Sequence, residues 1–227
     1  MSERFRSLRQ GIQAEFPLLV GVFPFGMIFG AAALGAGLAP AEAQSMSSIV
    51  FAGSAQFLTA QLVHAAAPAP VIILTIAIVN LRHVLYSASV APYVKHLPLR
   101  WKGLLAYLLT DEAYAATIVH YEEEGAAPTG HWFFLGAGAS LWLTWQLSTA
   151  LGIFLGANIP KSWPLEFALP LTFIAMLVPM LKDRPMVAAA LSAGVVAVLG
   201  AALPYKLGLL LAALVGISVG MIAERRS

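Results

Sequence analysis

The chain has 227 residues, of which 59% are hydrophobic and only 11% charged. A soluble domain carries about 25% charge to cover its surface, so a soluble globular protein is excluded; disorder, which needs low hydrophobicity, is excluded with it. With no Cys there is no disulfide, thiolate metal site or Cys nucleophile, and a net charge of +2 is too small and scattered for a nucleic-acid reader. The class that remains is an all-α integral membrane protein in contact with the lipid bilayer.

No Asp, Glu, Lys or Arg occurs in 16–41, 43–81, 125–160, 185–205 or 207–223. A spanning helix needs about 20 mainly apolar residues, and several of these runs supply them. In chain order the apolar segments lie near 16–38, 44–65, 70–91, 101–121, 131–156, 165–181, 185–202 and 204–223. Prolines such as Pro40, Pro68, Pro98, Pro128, Pro160 and Pro204 mark their edges, where one helix stops or the next begins. Arg4, Arg6 and Arg9 precede the first segment without a short cleavable stretch, which reads as a cytoplasmic anchor. The polar loop His120–His131 carries Glu122, Glu123 and Glu124. The chain reads as a single transmembrane domain, 1–227, with no soluble domain attached.

The two halves, 11–121 and 131–223, resemble each other. Leu34-Gly35-Ala36 before Pro40 recurs as Leu155-Gly156-Ala157 before Pro160, and Phe51-Ala52 with Phe57 recurs as Phe167-Ala168 with Phe173. Basic residues then arbitrate the topology, since they collect in cytoplasmic loops. Eight simple crossings from an inside start leave Lys95, Arg100, Lys102, Lys161 and Lys206 outside. If segments two and six are re-entrant, only Lys206 stays outside, and the Glu122–Glu124 loop is placed outside as well. The second arrangement gives inverted repeats with broken or re-entrant helices, a known transporter plan with its site near the midplane. A simple bundle of seven or eight spans is the competing arrangement.

Segment three holds Asn80, Arg82, His83 and Tyr86. An Arg in mid-membrane costs about 2.5 kcal/mol or more and marks a substrate or ion pathway unless it is a structural pair. Asn80 and His83, three apart, share a helix face, as do Arg82 and Tyr86. Segment four supplies Asp111 and Glu112 near its middle. Adjacent residues on a helix point about 100° apart, so one carboxylate can meet Arg82 while the other faces a cavity. A desolvated carboxylate takes up a proton readily, and Arg82, His83, Asp111 and Glu112 form the expected proton-coupling group. The competing role for all four is mutual neutralisation between helices.

Segment one has Pro24 and Gly26, where a break would free backbone groups for a zwitterion; a kink with close packing is the alternative. Segment two has Gly53, Ser54 and Gln56, polar groups beside small residues that also suit helix packing. With Asn80, these are the candidate substrate-binding residues. Glu166 opens segment six and is either solvated or at a cavity mouth. Trp142, Trp145 and Gln146 read as packing or an interfacial belt. His64, His96, His120 and His131 show no metal-ligand spacing, and no phosphate loop, nucleophile elbow or HExxH pair is present. No catalytic residue, metal or cofactor is expected.

At these residues the chain resembles the AzlC-like family of branched-chain amino acid exporters. The matching elements are Pro24-Phe25-Gly26 with Phe29-Gly30, Phe51-Ala52-Gly53-Ser54-Ala55-Gln56-Phe57, Asn80-Leu81-Arg82-His83 with Leu85-Tyr86, and Thr110-Asp111-Glu112. In the second half the clearest match is Leu165-Glu166-Phe167-Ala168-Leu169-Pro170 with Phe173; family members often have Asp at the Glu166 position. The resemblance implies a multi-pass inner-membrane exporter of amino acids, paired with a small AzlD-like membrane subunit. It does not imply which amino acid moves. The small-residue face Gly26/Gly30 is a candidate dock for that subunit's helix. The runner-up reading is a non-transport structural or assembly subunit, and behind it an intramembrane enzyme.

Overall fold

The computed structural model describes residues 2–125, 127–156, 181, 183–203 and 207–225. The expectations for segment six with Glu166, and for Lys161, Lys182 and Lys206, fall outside them. The described residues form helices and no strand: α1 (Glu3–Gly35), α2 (Pro40–Ile49), α3 (Gly53–His64), α4 (Ala69–Val79), α5 (Leu81–Val94), α6 (Leu99–Tyr107), α7 (Asp111–Glu124), α8 (Gly130–Gly156), α9 (Arg184–Leu199) and α10 (Leu207–Glu224). The all-α membrane architecture is therefore the one observed. α1 and the near-continuous stretch Ala69–Val94 are long and apolar enough to cross a bilayer. The chain divides into two compact units, 1–60 with 76–163 and 61–75 with 164–227.

α1 starts on Ser2, whose hydroxyl accepts the Phe5 N–H, and runs through Pro17 and Pro24 without breaking. At about 1.5 Å per residue its 33 residues reach well beyond a hydrocarbon core of about 30 Å. It stops where Gly37 takes φ +93° and Leu38 N–H returns to the Ala33 carbonyl, a glycine-capped end.

α1 and α8 pack along their whole length at backbone contact. A Cβ on Gly11 would meet the Phe133 carbonyl at 2.0 Å, one on Gly30 the Thr149 carbonyl at 2.4 Å, and one on Gly152 the Met27 carbonyl at 2.1 Å. These pairs rise together in both helices, so α1 and α8 are parallel, and Ser7 Oγ donates to the Thr129 carbonyl at their shared N-terminal end. Two consequences correct the expectations. Segments one and five run in the same direction, so they are not inverted relative to each other, and the Glu122–Glu124 loop lies at the same end as Arg4, Arg6 and Arg9. The Gly26/Gly30 face is also taken by α8, with Gly26 against Ser148 and Trp145, and is closed to a partner helix.

Two helical hairpins enter from opposite ends of this pair. α2 follows the end of α1 and lies on the middle of α8, where Ser47 bonds Thr149 at 2.8 Å. The chain turns at Val50–Ala52, with Phe51 at φ 42°. α3 then leaves along α1, Gly53 beside Phe25 and Phe57 against Phe25 and Phe29. Segment two is thus broken, as expected, just before Gly53-Ser54-Ala55-Gln56.

The second hairpin is α6–α7. Trp101 packs on His131 and Trp132 at the start of α8, Tyr107 reaches Trp142, and Tyr121 has returned to Gly130. Segment four, expected to cross, is therefore re-entrant, turning at Leu108–Thr110. The hydroxyl of Thr110 caps the returning helix by accepting the Ala113 N–H at 3.3 Å. α5 runs alongside α7 in the same direction, with Tyr86 stacked on Tyr114 and Tyr93 on Tyr121. In the other unit α9 and α10 form an antiparallel pair through Gly200 against Gly208 and Gly216 against Ala193.

Candidate functional site

The tips of the two hairpins meet beside the middle of α8. Tyr107, at the end of α6, donates its hydroxyl to the Ser48 carbonyl and accepts the Trp142 indole N–H at 2.6 Å. Its ring lies 6.0 Å from Phe51 at the other tip. α3 and α7 both begin at this junction, so the unpaired N–H groups and positive dipole ends of two helices converge on it.

Arg82, in the first turn of α5, links the tips. Its Nη2 donates to Ser54 Oγ at 2.5 Å on α3, and its Nε lies 3.2 Å from Asp111 Oδ1 on α7. Neither Arg82 Nε nor Asp111 Oδ1 makes an aligned hydrogen bond, so charge alone holds this contact. The two side chains keep 29% and 41% of their surface open. A carboxylate and an ammonium could enter between them: Arg82 and the helix N-termini suit the first, Asp111 the second. Asn80 adds a buried Oδ1 without a hydrogen-bond partner, and His83 sits above it through Nδ1 and the Asn80 carbonyl at 3.2 Å.

The structure thus brings together Ser54, Asn80, Arg82, His83 and Asp111, with Glu112 next to Asp111 on α7. It leaves others in supporting places. Gln56 is fully buried, its Nε2 donating to Ser47 Oγ and its Oε1 accepting the Trp145 indole, both at 3.1 Å. Gly53 fits against Phe25 and Trp145, Gly26 lies in the α1–α8 seam, and Pro24 is exposed on an unbroken helix. Trp145 and Gln146, read as packing, are hydrogen-bonding struts: Gln146 Oε1 accepts from Gln44 and Ser48 at 2.8 Å and its Nε2 donates to the Ser47 carbonyl. Phe25, Phe29, Phe57 and Trp145 form an aromatic cluster behind them.

Sequence reasoning missed Tyr107, Ser47, Thr149 and above all Glu15. The apolar run begins at Phe16, so Glu15 looked like the edge of a segment; α1 begins twelve residues earlier and buries it. No group of three or more His, Cys, Asp or Glu able to hold a metal occurs among the described residues.

A cavity of about 300 Å³ opens beside this site. It is lined by Val90, Ala91, Leu105 and Phe134, carries Lys95 and Lys102, and reaches Leu109, two residues before Asp111.

The family profile described as AzlC protein matches residues 17–159, which contain both hairpins and the Arg82–Asp111 pair. The chain is 32% identical over 197 residues to an uncharacterized membrane protein of Archaeoglobus fulgidus, covering 83% of this chain and 82% of that one. It is 28% identical over 181 residues to the inner membrane protein YgaZ of Escherichia coli, covering 77% of this chain and 74% of YgaZ. An uncharacterized membrane protein of Helicobacter pylori is 25% identical over 185 residues, covering 80% and 79%. No solved structure matches. The extent of these matches establishes that the chain belongs to the AzlC family.

Proposed function

We propose that this protein is a secondary transporter that exports branched-chain or similar apolar amino acids across the inner membrane, coupled to protons. The observation that carries the reading is the Arg82–Asp111 pair at the junction of two re-entrant tips. A charged pair whose side chains are part-exposed, whose mutual contact lacks an aligned hydrogen bond and which sits where two helices begin matches a zwitterion's two groups. The neighbouring apolar cavity supplies room for an aliphatic side chain. Irregular backbone at membrane depth is tolerated where it lines such a site.

Orientation follows from charge. Arg4, Arg6, Arg9, Lys95, Arg100 and Lys102 all lie at the end where α1 and α8 start, which the distribution of basic residues assigns to the cytoplasm. The cavity then opens inward, as an exporter's loading state requires. A small hydrophobic AzlD-like subunit completes the assembly in this reading, docked on a face other than the α1–α8 seam. Counterflow of labelled leucine in proteoliposomes, with and without that subunit, is the test. Absence of exchange for leucine, isoleucine, valine and methionine in both preparations would favour a structural or assembly role instead.

A further inference from the structure

The cavity beside the Arg82–Asp111 pair lies between two helix faces. Ser87, Val90 and Ala91 line it from α5, at the three- and four-residue spacing of one face. Leu105 and Ala106 on α6, with Leu109 just beyond its end, line it from the other side. Val90, Leu105 and the Phe134 ring of α8 are buried, so packing fixes these parts of the wall. The inner end is set by Ser87, five residues or about 7.5 Å of helix rise beyond Arg82, and by Leu109, two residues before Asp111. The opposite end carries Lys95, which follows α5, and Lys102, in the first turns of α6. A head group held between Arg82 and Asp111 therefore meets the cavity only beyond the first carbons of its side chain. The volume of about 300 Å³ is twice the roughly 150 Å³ of apolar space that holds a benzene ring. A short branched side chain would leave most of that space unfilled, and the walls would forgo the dispersion contacts that a longer one makes.

Resting on the transport reading above, we infer that the substrate class extends to amino acids with large apolar side chains, aromatic ones included, and that Ala91 and Ala106 set the upper limit of size. These two are the smallest side chains of the lining, one from each helix, and both remain exposed. Any carbon added to either takes its room from the cavity between Val90 and Leu105. Lys95 and Lys102 supply a second criterion. Two ammonium groups at the far end repel a side chain that ends in a positive charge, so lysine is refused although its aliphatic stem would fit. Size is thus read by the alanines and charge by the lysines, while the Arg82–Asp111 pair reads the zwitterion common to every amino acid.

The test is displacement of labelled leucine from the purified full chain by unlabelled valine, phenylalanine, norleucine and lysine. In the wild type, phenylalanine and norleucine should displace leucine at least as well as valine does. Lysine, which is norleucine with a terminal ammonium, should not. One methylene of misfit in an apolar pocket is worth about 10- to 200-fold. Ala91→Leu and Ala106→Leu should therefore weaken phenylalanine by a factor in that range and leave valine unchanged, a change of selectivity that mere damage to the fold would not produce. Failure of phenylalanine to displace leucine from the wild type would overturn the inference and leave the transport reading standing. A valine-to-phenylalanine ratio unchanged in both variants, or lysine equal to norleucine, would also overturn it. Absence of leucine binding by the wild type would overturn the inference together with the reading on which it rests.

Discussion

Removing one charge from the Arg82–Asp111 pair should weaken both the fold and the binding of substrate, by different amounts. Exposed ion pairs contribute about 0–1 kcal/mol, and breaking a fully buried one costs about 3–5 kcal/mol. With 29% and 41% of the side-chain surfaces open and the N–O distance at 3.2 Å, the pair belongs nearer the first class, at about 1–2 kcal/mol. Arg82→Gln and Asp111→Asn should therefore still fold. Each loses a charge-assisted bond to the ligand, about 1.5–3 kcal/mol, or roughly 10- to 150-fold in Kd. Equilibrium binding of labelled leucine to purified protein measures this, and analogues separate the two arms. Arg82→Gln should cease to distinguish leucine from leucine amide, which lacks the carboxylate. Asp111→Asn should cease to distinguish leucine from 4-methylpentanoate, which lacks the ammonium. Wild-type leucine affinity in both variants would refute the assignment of the pair to the zwitterion and leave it a strut between hairpins.

Three further outcomes are expected. Single cysteines introduced at Glu123 and Lys95 should be labelled from the same side as one at Arg4, cleanly so because the chain has no Cys; labelling of position 123 from the opposite side would contradict the parallel packing of α1 and α8. Gly152→Leu should reduce folded, monodisperse protein, because even a Cβ there would lie 2.1 Å from the Met27 carbonyl and overpacking costs about 1–3 kcal/mol or more; an unchanged thermal transition would count against the seam. Gln56→Leu should lower Tm by several degrees, since it leaves the buried Trp145 indole N–H without its acceptor at about 1–3 kcal/mol; a Tm equal to wild type would mean the bond contributes nothing.

That Arg82 pairs with one of Asp111 and Glu112 was legible from sequence because mid-segment charge has few ways to be offset; that the partner is Asp111 was not. The break in segment two was legible from its small and polar residues. Segment four was not: hydropathy from Trp101 to Tyr121 is the same whether the chain crosses or turns back, and the turn at Leu108–Thr110 carries no Gly or Pro. Its re-entry is decided by long-range contacts, Trp101 with His131 and Tyr121 with Gly130. The parallel seam escaped for a related reason. Glycines at Gly26, Gly30, Gly152 and Gly156 announce close packing, yet spacing names neither the partner nor its direction. Glu15 escaped because a charged residue at the edge of an apolar run is ordinarily solvated, and only the length of α1 makes it interior.

Carbonyl-to-glycine contact along α1 and α8 has a mechanical consequence. Two helices whose backbones interlock cannot slide by small steps; any displacement would drive side chains of one into the main chain of the other, and the next register lies a full helical turn away. This pair is then a fixed post against which the rest of the first unit moves. Bending must concentrate where the helical ladder is already interrupted, at Val50–Ala52, Asn80 and Leu108–Thr110. Those three interruptions bracket the Arg82–Asp111 pair, so the joints and the ligand contacts proposed for this pair occupy the same few residues.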